Sequence, residues 1–201
     1  MHIVDGALST QVLVVGAAVS CLGLALGLRR MPLDKIPVTG MLAATFFVAS
    51  LIHVPLGPSS LHLIMNGVAG LLLGWAAVPA LFIGLLLQAV FFGYGGITVL
   101  GINTVNVALP AVAVFYLVRP FIIGARASQG LFWGAVGGGL AVALTTLMVA
   151  ASLWVSGDEF IPTAKLILIS HIPVVIIEAL LSGATVYLVC KVKPELFMGR
   201  G

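Results

Sequence analysis

The sequence predicts an all-α, polytopic integral membrane protein built as one domain over residues 1–201, with about seven transmembrane helices. Three observations carry that prediction. Hydrophobic residues make up 61% of the chain and charged residues only 7%, against about 25% charged in soluble domains. Apolar runs long enough to cross a bilayer core, about 20 residues each, recur along the chain. Lys and Arg fall at regular intervals between those runs, in the pattern that orients a membrane protein.

Seven spans fit the hydropathy. The first is expected over about Leu8 to Leu28 and the second over about Ile36 to Val54. The stretch Pro55-Leu56-Gly57-Pro58-Ser59-Ser60 then breaks the helix. A short third span runs from about Leu61 to Trp75, and Pro79 helps separate it from a fourth over about Ala80 to Gly93. Gly93-Tyr94-Gly95-Gly96 reads as a turn. The fifth, sixth and seventh spans are expected over about Ile102 to Val118, Leu131 to Val155 and Lys165 to Cys190.

Seven spans put eight of the nine Lys and Arg on one side: Arg29, Arg30, Lys35, Arg119, Arg126, Lys191, Lys193 and Arg200. Positive charge marks the cytoplasmic side. The C-terminus is therefore expected in the cytoplasm and the N-terminus outside, together with the loops around residues 55–62, 93–101 and 156–164. The net charge of +3 is explained by this topology and is too small to point to nucleic acid. Cys21 and Cys190 lie in apolar stretches and read as small buried hydrophobes. Met1-His2-Ile3-Val4-Asp5-Gly6 lacks the positive start of a signal peptide, so these residues are expected in the mature protein.

Several catalytic classes find no support. The chain has no Walker A pattern to cradle ATP, no HExxH and no defensible Ser-His or Cys-His pair. Small residues stand four apart in two pairs, Gly16 with Ser20 and Gly23 with Gly27, the pattern that lets helices approach closely in lipid. That face could pack within the monomer or dock another membrane subunit.

His2 carries the most information. Its bulk protects the initiator Met, so Met1 keeps a free α-amine with a pKa near ~7.7–8.0. The amine, the backbone nitrogen of His2 and its imidazole can close two adjacent chelate rings, giving three nitrogens in a plane with a fourth corner open. Nickel(II) and copper(II) favour such tetragonal nitrogen sites. His62 follows the Gly57-Pro58-Ser59-Ser60 break on the same side as Met1 and could supply the fourth nitrogen. His53 reads as structural, with an entry role as the alternative, Tyr94 is left without an assigned role, and His171 shares a helical face with Glu178. Glu178 sits in an apolar stretch where an ionisable group is costly, and a structural or subunit-coupling role is expected of it. Asn66, Asn103 and Asn106 could fix loops or orient ligands. A membrane metalloenzyme with Asp5 as its base, and a structural subunit with incidental histidines, are the competing classes.

Together these residues resemble the CbiM/NikM family, the substrate-binding membrane subunits of energy-coupling-factor transporters for cobalt and nickel. The likeness rests on the opening Met1–Gly6, on Gly57-Pro58-Ser59-Ser60-Leu61-His62-Leu63-Ile64-Met65-Asn66-Gly67, on Phe92 to Asn103, and on His171-Ile172-Pro173 followed by Glu178. The resemblance implies a seven-helix fold in a prokaryotic cell membrane with its N-terminus outside. It implies an ion held by the Met1 amine, the His2 backbone and imidazole nitrogens, and His62. It also implies a transmembrane coupling subunit, cytoplasmic ATPase subunits and a small accessory membrane protein as partners. No resident cofactor and no catalytic activity are implied: the ion is cargo, nickel or cobalt.

Overall fold

The computed structural model describes residues 3–51, 53–56 and 59–198. Its helices are α1 (Thr10–Arg29), α2 (Ile36–Ala49), α3 (Asn66–Leu73), α4 (Ala77–Phe92), α5 (Leu100–Leu117), α6 (Ala127–Ser156), α7 (Ile161–Ser170), α8 (Ile172–Val192) and α9 (Glu195–Met198). One antiparallel hairpin, β1 (His53–Leu56) and β2 (Ser59–His62), interrupts the helices, with His53 paired to His62. Five helical stretches are long and apolar enough to cross a membrane: Thr10–Arg29, Asn66–Phe92, Leu100–Leu117, Ala127–Ser156 and Ile172–Val192.

The second of these stretches contains a reversal. Gly67, Gly70 and Gly74 face Gly138, Ala111 and Phe115 in turn, so α3 descends beside α5 in the same direction. Gly16 packs on Ile102 and Arg30, just after α1, donates to the Tyr116 hydroxyl near the end of α5 (3.3 Å), so α1 is parallel to α5 as well. Helix α4 runs the other way. Its first turn, at Pro79, and Trp75 just before it lie against Gly27 near the end of α1, while the turn that follows its last residue returns to the start of the chain through Asp5 N–H donating to the Gly95 carbonyl (2.8 Å). The chain reverses at Gly74, whose φ of 60° suits glycine and few other residues.

Three expectations need correction. The third span does not start at Leu61: Ser59–His62 is a strand, and helix begins only at Asn66 after Met65, which sits in the left-handed region at φ 54°. Two prolines and a glycine within residues 55–58 favour extended backbone over helix. The second span ends at Ala49, before the hairpin. The seventh begins at Ile161 and is broken at His171, ahead of Pro173 at the second position of α8.

The core is made by close helix contact. Helices α6 and α8 lie antiparallel, with Gly134 on Val186 and Gly138 on Ser182. A Cβ placed at Gly67 would sit 2.6 Å from the Gly138 Cα, so no larger side chain fits at that crossing. The small-residue face of α1 is filled from inside the molecule. Gly16 meets Ile102 of α5, Gly27 meets Pro79 and the Trp75 carbonyl, and Gly16, Ser20 and Gly27 are buried. The same four-residue spacing would have suited an external partner, but α4 and α5 already occupy the face. The opposite side of α1, with Val14, Val15 and Leu22, is exposed.

Candidate functional site

Three segments without regular helix lie toward the end of the bundle where α1 and α5 begin, and each is held by a side chain from a helix or from the start of the chain. The first is the start of the chain. Asn103, in the first turn of α5, donates its amide N–H to the Ile3 carbonyl and accepts from the Ile3 N–H, both at 2.9 Å. One side-chain amide thus satisfies both backbone groups of Ile3, which is wholly buried. Met1 and His2, two of the three expected ligands, lie outside the described residues, and the clamp aims the chain at the residue that follows them.

The second is the turn at residues 95–99. The Asp5 carboxylate accepts from the Thr98 hydroxyl (2.5 Å) and the Val99 N–H (3.3 Å). Gly96, at φ 129°, lies so close to that carboxylate that a side chain there would collide with it. Asp5, the base that a metalloenzyme would have needed, is committed to fastening this turn.

The third segment, 62–65, carries His62. The ring is buried at 4% exposure. Its Nδ1 lies 2.7 Å from the Leu63 carbonyl. A carbonyl can only accept, so Nδ1 carries the proton and Nε2 retains the lone pair. Burial pushes the imidazole pKa down to about 4, which keeps the ring neutral near neutral pH. Beyond His62, the N–H groups of Ile64 and Met65 both donate to Glu178 Oε1 of α8, the second at 2.8 Å. Asn66 then opens α3, donating to the Val107 carbonyl and to the Thr145 hydroxyl, each at 2.9 Å.

Of the remaining candidates, His171 is 1% exposed and stands near enough to His62 for the two rings to interact electrostatically. Its Nδ1 donates to the Ile167 carbonyl (2.7 Å), and its Nε2 has no hydrogen-bond partner among the described residues. His53 is the backbone partner of His62 across the hairpin. Tyr94 stacks on Phe92 at 5.5 Å. Among the described residues no three His, Cys, Asp or Glu side chains cluster as a metal site. The sequence offered Asn103 as a residue that could fix a loop, but the partners of Asn103 and Asp5, about a hundred residues away, came only from the structure.

The fold is that of a multi-pass helical membrane protein with a buried imidazole and a clamped chain start toward the same end of the bundle. Comparison with known proteins gives the class its name. The family described as CbiM, cobalt uptake substrate-specific transmembrane region, matches residues 2–196. The chain belongs to the CbiM family, and is a multi-pass prokaryotic membrane component of metal transport. A protein of Haemophilus influenzae, described only as concerned with metal transport, is 42% identical over 201 residues, covering 98% of this chain and 96% of its own length. The fused nickel transport protein NikMN of Rhodobacter capsulatus is 39% identical over 137 residues, which is 63% of this chain and 40% of that protein. A crystal structure of a transition metal transporter superposes with a TM-score of 0.82 at 26% identity, covering 96% of this chain and 93% of the other.

Proposed function

We propose that this chain is the substrate-binding component of an energy-coupling-factor transporter and captures nickel(II) or cobalt(II) at the outer face. The ion is held by the Met1 α-amine, the His2 backbone and imidazole nitrogens, and His62 Nε2. The observation that carries this reading is the clamp of Asn103 on both backbone groups of Ile3. A chelate made from the first two residues needs the third to be fixed, or ordering the chain would consume the binding energy. His62 adds a neutral, buried imidazole whose other nitrogen is already engaged, as metal-binding histidines require. The excess of Lys and Arg at the opposite end supports an outer location for the site.

Energy comes from partners, because the sequence holds no nucleotide-binding motif. The partners are a transmembrane coupling subunit, cytoplasmic ATPases and a small accessory membrane protein. A relative that carries its nickel transport region in a fused chain fits such an assembly.

The test is equilibrium binding of nickel and cobalt to purified protein with an intact Met1. Acetylating the amine, or adding one residue before Met1, is expected to abolish tight binding while circular dichroism stays unchanged. Unaltered affinity after either change would remove the N-terminal chelate.

A further inference from the structure

One peptide group connects His62 to helix α8. The Leu63 carbonyl accepts the Nδ1–H of His62, and the Ile64 N–H on the same peptide donates to Glu178 Oε1. The peptide is trans, as are all those described, so the imidazole and the carboxyl approach it from opposite sides. The Met65 N–H adds a second bond to the same oxygen at 2.8 Å, and Met65 adopts a left-handed backbone that a methionine does not choose unaided. Glu178 is wholly buried, and its Oε2 has no hydrogen-bond partner among the described residues. Its hydrogen bonds among the described residues all go to this one segment.

We propose that Glu178 is a positioning residue for the cation: through the Leu63–Ile64 peptide it fixes the tautomer and orientation of His62, so that Nε2 faces the ion. The proposal rests on His62 being a ligand, as proposed above. The physical basis is the one by which carboxylates orient metal-binding histidines, with a peptide group inserted between the two. Hydrogen bonds in series polarise one another. A peptide whose N–H is held by a carboxyl presents a stronger acceptor at its carbonyl. That carbonyl holds the proton on Nδ1 and leaves Nε2 more basic. The arrangement also ties the outer segment to α8, a helix that continues to Val192 at the opposite end of the bundle.

A carboxyl that only fastened the start of α3 would alter stability and leave a bound metal's spectrum alone. The experiment therefore reads affinity and spectrum together, in full-length detergent-purified protein with intact Met1, titrated with nickel(II) and with cobalt(II). The variants are Glu178→Ala, Glu178→Gln and His62→Ala. Glu178→Ala is expected to lower affinity by about 10–100-fold, the usual cost of losing an outer partner of a ligand, and to shift the ligand-field bands. Glu178→Gln keeps an acceptor oxygen and is expected to bind close to wild type with an unshifted spectrum. Wild-type affinity and spectrum in Glu178→Ala would overturn the proposal, and so would a loss in Glu178→Gln as large as in Glu178→Ala. Should Glu178→Ala fail to fold, Glu178→Gln alone decides, with retained binding expected and a tenfold loss overturning. Wild-type binding by His62→Ala would instead bring down the ligand assignment itself, an outcome distinct from the Glu178 results.

Discussion

The middle of the bundle and its site end are held together by different physics. Between the helices, contact is made by the absence of side chains. Gly67 lies on Gly138, Gly70 on Ala111 and Gly134 on Val186, so backbones touch and dispersion does the work. At the site end the chain leaves regular helix three times, and polar side chains satisfy the backbone instead. Asn103 serves Ile3, Asp5 serves Val99, and Glu178 serves Ile64 and Met65. Non-helical backbone at membrane depth survives only where protein groups complete its hydrogen bonds. The helix crossings therefore set whether the protein folds, whereas the polar clamps set where a few non-helical backbone segments stand.

Substitutions can break that division. The largest effect is expected for Gly70→Leu, whose side chain would run into the Ala111 backbone of α5. Overpacking typically costs about 1–3 kcal/mol, and backbone offers less room to yield than a side chain. Loss of monodisperse protein on size exclusion is the expected outcome, and a normally folded variant would show the crossing to be loose.

Asn103→Ala comes next and should separate binding from folding. It leaves both Ile3 backbone groups without their partner, and nickel and cobalt affinity is expected to fall about 10–100-fold with helicity retained. Affinity equal to wild type would detach the clamp from the site.

Asp5→Ala removes bonds from the neighbouring turn and touches the ion only through it. A cost of about 1 kcal/mol corresponds to a several-fold loss of affinity in the same titration. A loss larger than that of Asn103→Ala would reverse the ranking of the two clamps.

The smallest effect is expected at Gly23, where a Cβ would meet Val78 at an ordinary contact distance of 3.4 Å. Gly23→Ala should leave the thermal midpoint unchanged. Gly27→Leu should lower it, since a Cβ there comes within 2.6 Å of Pro79 and of the Trp75 carbonyl. Equal midpoints for the two variants would argue that the face is not packed inside the monomer.

The membrane class and most helix positions were legible in the sequence, because they rest on apolar runs and turn residues. The hairpin was not. Residues 51–65 are apolar with scattered prolines, and hydropathy cannot tell a short strand from a buried helix in such a stretch. The small face of α1 was visible as a pattern, but a pattern of small residues does not say which helix fills it. Glu178 stood out as a costly group, and its use appeared only when α8 came beside Ile64 and Met65.

Residence in the membrane was determined by the sequence by itself, because the preference of a residue for lipid over water is a local property that adds along a segment. The clamps were decided only by the tertiary structure. Ile3 and Asn103 are separated by 100 residues, and Ile64 and Glu178 by 114. A hydrogen bond requires its atoms to meet within a few tenths of an ångström and in the right direction. No local pattern specifies such a meeting, and here it follows from how α3, α5 and α8 pack.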